Sequence, residues 1–226
     1  AGGSEEGGQD AAVEFQGLDF AYGGAKSNAL NGISFKAKKG QTIGVIGGTG
    51  SGKSTLVNLI PRFYDAGSGQ VLVDGKDVRE YSLESLRRKI GVVPQKAVLF
   101  AGTLRDNIRW GKLDATDEEI WKALETAQAK EFVDAKGDGL EMAVEQGGRN
   151  LSGGQKQRLT IARALVRQPE VLIMDDSASA LDFATDARLR RAIKENTQDM
   201  TVFIVSQRVA TVKNADEILV LDDGHM

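Results

Sequence analysis

The sequence predicts an α/β fold, a sheet of short buried strands interrupted by a helical lobe. Three observations carry this. Short β-branched runs ending in Gly or Asp alternate with segments of helical spacing, the pattern of strands buried on both faces. Between about residues 103 and 167 no good strand pattern appears and helical periodicity takes over. The chain has 226 residues, ample for one large domain or two lobes around a buried core.

The start, AGGSEEGGQD, is glycine-rich, acidic and without periodicity. Residues 1–12 are therefore expected to be a flexible tether, with ordered structure from Val13 onward. The best strand candidates are 42–46, 71–73, 90–93, 171–174, 201–205 and 217–221. Thr116 and Glu119 have capping-box spacing, followed by Ile120, Leu124 and Ala127 on one helical face. A second helix begins at Ser152, places Ile161 and Leu165 together, and stops before Pro169. The division expected is a core of about 13–95 and 168–226 with a helical lobe of about 96–167.

Composition excludes several chemistries. There is no cysteine, hence no disulfide framework or thiolate site, and a single histidine, His225, which rules out a histidine cluster for zinc. The net charge of −3 argues against sequence-independent binding to nucleic acid, and no nucleic-acid partner is expected. Apolar runs such as VLIM (171–174) are far short of the roughly 20 residues of a membrane span, so the isolated chain is expected to be soluble. Trp110 and Trp121 read as packing residues. Glycine is in excess, 27 residues or about 12% against a usual ~7%.

Part of that excess lies in GGTGSGKST at 47–55, which satisfies G-x-x-x-x-G-K-[ST] between a strand-like TIGVI and a helix-like STLVNLI. The backbone of Gly47, Gly48, Thr49, Gly50, Ser51 and Gly52 can turn its N–H groups toward phosphate oxygens. Lys53 reaches the terminal phosphates, Ser54 is placed to ligate Mg²⁺, and Thr55 closes the set. A chance match somewhere in the chain is roughly 2%. Such a loop needs a carboxylate at the end of a buried strand to hold the metal's water shell. VLIMDD at 171–176 supplies one in Asp175, and Asp176 stands where a water-activating carboxylate belongs.

LSGGQ at 151–155 is the most informative string. Ser152 and Gln155 have capping-box spacing, so the segment opens a helix while Gly153 and Gly154 keep N–H groups for an anion. Here the sequence resembles the ATP-binding cassette family, specifically the nucleotide-binding domain of exporter-type transporters, over essentially everything from Val13 onward. The resemblance implies a P-loop NTPase (RecA-like) core with an inserted α-helical lobe and an N-terminal antiparallel β region. It implies ATP and Mg²⁺ as ligands, transmembrane domains as partners, and a place at the cytoplasmic face of a membrane. By it, Tyr22 in FAY stacks on adenine, and Gln95 in VVPQ reaches the metal and the attacking water while sensing the membrane subunit. Asp182 in SALD faces a partner. Two such domains close head to tail, so that Ser152, Gly153, Gly154 and Gln155 touch the partner's ATP. A membrane domain is expected before residue 1, and a further turn and helix after ILVLDDGHM.

Two positions depart from the family pattern. Asp176 stands where active members carry Glu, and Gln207 in VSQRVAT stands where they carry His. Glu→Asp shortens the arm by roughly 1.5 Å, and about 1 Å of misplacement can cost on the order of 10²-fold in rate. Gln cannot carry the charge of a protonated imidazole. VEQGGRN (144–150) also departs from the VGERG-like pattern of symmetric exporters. These features point to the degenerate-site subunit of a heterodimer, slow at its own ATP site while its LSGGQ completes the partner's. The alternatives are an ordinary homodimeric ATPase tolerating both substitutions, or an ATP-binding regulatory module without useful hydrolysis.

Overall fold

A computed structural model describes residues 11–48, 50–176, 180–197 and 199–226. The chain opens with β1 (Ala11–Phe20), β2 (Leu30–Lys38), β3 (Thr42–Ile46), α1 (Lys53–Asn58), β4 (Ser68–Val73), β5 (Lys76–Asp77), α2 (Leu83–Lys89) and β6 (Ile90–Val93). It continues with β7 (Gly102–Thr103), α3 (Leu104–Arg109), α4 (Asp117–Thr126), α5 (Lys130–Lys136), β8 (Ala143–Val144) and α6 (Gly153–Leu165). It closes with β9 (Val171–Asp175), α7 (Phe183–Asn196), β10 (Thr201–Ser206), α8 (Val209–Val212) and β11 (Glu217–Val220). Two compact units result: the residues through Ile90 with Thr201–Met226, and Gly91–Met200. The expected division differs from this, because β9 and α7 group with the helices and not with the first unit.

In the first unit, β2-β1-β4-β5 form an antiparallel sheet. β1 begins at Ala11, so Ala11 and Ala12, assigned from sequence to the tether, belong to a strand and are buried. Phe15 pairs with Phe35 on one side and Val71 on the other, and the Phe15 and Phe35 rings stack at 4.7 Å. The parallel strands run β11-β3-β10, with Val45 opposite both Leu219 and Val205. All six residues of β10 are buried, which is why its sequence is a continuous apolar run and not an alternation. Phe15, Ile43, Val45 and Phe203 are essentially inaccessible, each worth about 1.5–3 kcal/mol on burial.

In the second unit, α3 and α4 pack on α6. The Thr116 hydroxyl accepts from the Glu119 amide at 3.1 Å and the Glu119 carboxylate accepts from the Thr116 amide at 3.0 Å, so the capping box that starts α4 is complete. The Lys112 ammonium adds a 2.5 Å bond to Glu119 and is the leading cause holding that carboxyl down at about 2. On α6, Leu159, Ile161, Ala162 and Leu165 face inward. The region expected to lack strands holds one short ladder, β7 against β8, pairing Gly102 with Val144 and Thr103 with Ala143. Two-residue strands carry no periodicity, so only the closed chain reveals them. Among the described residues no helix is long and apolar enough to cross a membrane.

Candidate functional site

The glycine loop joins β3 to α1 in the first unit. Gly52 is the N-cap of α1 at φ 100°, and no side chain caps the helix or places an acid in its first turn. The first N–H groups of a helix have no partner within it, and here no side chain caps them. Gly47 is required by close approach: a Cβ there would lie 2.3 Å from Ser51 Oγ and 2.6 Å from the Leu221 carbonyl oxygen. Gly48 and Gly50 have open space where a side chain would stand, and both are exposed. The Lys53 ammonium donates to the Gly48 carbonyl at 3.3 Å, folding the cation over the loop. Ser51 Oγ is buried without a hydrogen-bond partner among the described residues, an orphaned polar atom that an incoming oxygen would satisfy. Ser54 is exposed at the start of the helix, and Thr49 lies outside the described residues. Open backbone, the Lys53 cation, an uncapped helix start and the buried Ser51 hydroxyl make a cradle whose chemistry fits a polyphosphate.

Tyr22, just past β1, is in the same unit. Its hydroxyl shares a 2.5 Å hydrogen bond with Thr55 Oγ1. Its ring packs edge-on against Phe20 and Tyr64, at 4.9 and 5.2 Å between centroids, and is still 41% exposed. The ring is thus tied directly to α1 while offering a face to solvent, an arrangement suited to stacking. Gln207 follows β10 in this unit and is exposed.

The second unit holds the other sequence-predicted residues. Gln95 is exposed in the loop after β6, Asp175 ends β9 and Asp176 follows it, both partly accessible. Asp176 stands at φ 52°, in the left-handed region. Asp enters that region several-fold more readily than residues in general. At the start of α6 the Ser152 hydroxyl accepts from the Gln155 amide at 3.1 Å, and the Gln155 side-chain oxygen accepts from the Ser152 amide at 3.0 Å. Ser152 and Gly153 are exposed. A Cβ on Gly154 would meet the Ala180 carbonyl oxygen at 3.3 Å, and the Ala180 amide donates to Gln157 at 3.1 Å, so the signature turn and the Ala180–Asp182 segment are one packed piece. Asp182 caps α7, accepting from the Thr185 amide at 2.7 Å, and that bond is the main reason its carboxyl sits below its usual range. Ser177, Ala178 and Ser179 lie outside the described residues.

The packing role expected for Trp110 does not hold. It is 64% exposed and stacks on the exposed Phe100 at 4.9 Å. With Val98, Val92, Arg163 and Arg167 the pair lines a groove of about 320 Å³ in the second unit. Burial of the Arg163 guanidinium, which donates to the Val98 carbonyl at 2.8 Å, pushes its pKa down. Beside the loop lies the Asp223–Gly224 turn, at an Asp-Gly pair of the kind that is a strong short-range turn signal.

Comparison with known proteins agrees with this architecture. The family model for the ABC transporter matches residues 30–179. YfiB of Bacillus subtilis, an uncharacterized ABC transporter ATP-binding protein, is 47% identical over 214 residues, covering 95% of this chain and 37% of that protein. The beta-(1-->2)glucan export ATP-binding/permease protein NdvA of Rhizobium johnstonii is 43% identical over 215 residues, covering 95% and 36%. The solved structure of a bacterial Atm1-family ABC exporter with ATP bound superposes with a TM-score of 0.89 at 35% identity, covering 96% of this chain and 38% of that one. The chain belongs to the ABC transporter family. It has the P-loop NTPase fold and is an ATP-binding domain of that family, spanning a little over a third of the length of these relatives.

Proposed function

We propose that this domain binds Mg-ATP and, paired head to tail with a second nucleotide-binding domain, powers export across a membrane from its cytoplasmic face. Its own ATP site hydrolyses slowly. The phosphates lie on residues 47–55 with Lys53 as counter-charge, and Tyr22 takes the base. Mg²⁺ is held by Ser54, Gln95 and Asp175 together with phosphate oxygens. This agrees with its preference for few protein ligands, and no group of three His, Cys, Asp or Glu side chains is arranged as a cage among the described residues. When bound, the ion neutralises charge on the phosphates. Ser152, Gly153, Gly154 and Gln155 serve the partner's ATP, and Asp182 lies at that junction.

The observation that carries the slow-site reading is the pair Asp176 and Gln207. Asp176 adopts a backbone conformation that suits Asp, with a carboxylate one methylene short of the family's Glu. Gln207 cannot carry the charge of a protonated imidazole. The Phe100–Trp110 groove offers the membrane portion an exposed apolar seat, the kind of surface that marks an interaction site.

Turnover by the purified chain is the test. Slow-site chemistry predicts a rate below roughly 1 s⁻¹, under the ordinary enzyme range, and a gain on combining Asp176→Glu with Gln207→His in the assembled dimer. Faster turnover from the unpartnered chain would sink the degenerate assignment and favour the ordinary homodimer. Absence of any gain would clear those two residues of causing slow hydrolysis.

A further inference from the structure

The segment after β11 makes two separate contacts with the phosphate loop. The Leu221 amide donates to the Ile46 carbonyl at 2.9 Å, carrying the β11–β3 pairing to the mouth of the loop. The Leu221 carbonyl then lies where a side chain on Gly47 would need to be. Asp222 and His225 next exchange backbone bonds of 2.8 and 2.9 Å around a two-residue turn, Asp223 at φ 47° and Gly224 at φ 78°. Both central residues are left-handed, as in the tight hairpin turn that Asp-Gly favours. The turn drives Gly224 into a buried position between two neighbours. Its amide donates to the Ser51 carbonyl at 2.9 Å, and its carbonyl accepts from the Asn31 amide at 2.8 Å. A Cβ on Gly224 would stand 2.3 Å from the Ala29 carbonyl oxygen, a backbone atom that cannot swing aside. Gly52, the N-cap of α1, presses on the same place, its missing Cβ 3.7 Å from Gly224 Cα and 2.8 Å from a Leu30 methyl.

We propose that the Asp223–Gly224 turn is a positioning element of the nucleotide site, fixing the conformation in which the loop's amides meet the phosphates. It clamps the loop at its entry through Leu221 and at its exit through Gly224, and it anchors the exit to the start of β2. None of these residues touches nucleotide. They act through Ser51, and the inference rests on the reading of residues 47–55 as the phosphate site. A larger residue at 224 pushes the turn outward and stretches both backbone bonds. The loss falls on phosphate contacts, each charge-assisted bond being worth on the order of tenfold or more in affinity.

The test measures binding of Mg-ATP, and separately of inorganic triphosphate, by titration calorimetry on the 226-residue chain. Gly224→Ala is compared with Gly137→Ala, which has a similar left-handed backbone at φ 85° but open space around its Cβ, in the other unit. The control carries the strain of a left-handed alanine without the collision. Gly224→Ala is expected to lose at least about tenfold in affinity for both ligands at a temperature well below either melting point, and Gly137→Ala to stay within about twofold of wild type. Equal affinities for the two variants overturn the proposal. Should Gly224→Ala not fold, amide exchange in the wild-type chain decides: the Gly224 N–H is expected to slow severalfold on saturation with Mg-ATP, and unchanged exchange overturns the clamp. If the wild-type chain binds neither ligand, the reading of the loop itself fails, and this inference fails with it.

Discussion

The two glycine-bearing helix starts, at α1 and at α6, are built in opposite ways. α1 opens on Gly52 with no capping side chain and no acid in its first turn. α6 opens on Ser152 with a complete capping box, which engages the Gln155 amide and the Ser152 amide and hydroxyl. A serine hydroxyl that accepts one bond keeps its proton to donate. The α1 start therefore lacks the side-chain cap that the α6 start carries, while the capped Ser152 is still exposed with a proton to donate. Capping thus separates the start proposed to cradle the chain's own nucleotide from the one proposed to serve a partner's.

The largest expected effect is at the open start. Lys53→Ala removes the cation folded over the loop. It should weaken Mg-ATP binding by the calorimetric isolated chain on the order of 10–100-fold, the range for hydrogen bonds to charged groups. A loss under about threefold would mean that the loop does not use this cation. Ser152→Ala should act differently. Losing an N-cap costs about 1 kcal/mol, which lowers the melting temperature by roughly 2–4 °C in a chain of this size. ATP affinity of the unpartnered chain should stay unchanged, while hydrolysis in the assembled dimer falls. A drop in the lone chain's affinity would put Ser152 at the wrong nucleotide.

The smallest effect sharpens the capping argument itself. Glu119 completes the box of α4, and its carboxyl is held at about 2, chiefly by Lys112 and then by the Thr116 amide. A carboxyl depressed on folding adds stability that is present above its unfolded pKa, near 4.5, and is lost as pH falls through the folded value. The melting-temperature gap between wild type and Glu119→Gln should be constant at neutral pH and close between about pH 4.5 and 2. A gap independent of pH would show that the charge of Glu119 contributes nothing.

Much of this was legible in the chain. The strand candidates at 42–46, 90–93, 171–174 and 201–205 correspond to β3, β6, β9 and β10, because strands buried on both faces must be apolar throughout. Thr116 and Ser152 named their helices because a cap needs a particular side chain at a particular spacing. β1 and β2 escaped because register shifts between them interrupt any regular alternation. Trp110 was misread because composition cannot tell a buried indole from one stacked in solvent.

The sequence by itself determined the family and the places of the glycine-rich loop at 47–55 and of LSGGQ at 151–155, since each is a matter of residue type at fixed local spacing. Only the tertiary structure decided what holds that loop in place. Ser51, Asn31 and Gly224 are brought together by backbone hydrogen bonds across long stretches of chain. Backbone groups are the same in every residue but proline, so no local pattern announces which of them will meet. Gly224 shows only as the second half of an Asp-Gly turn until folding sets it against Ala29, where nothing larger fits.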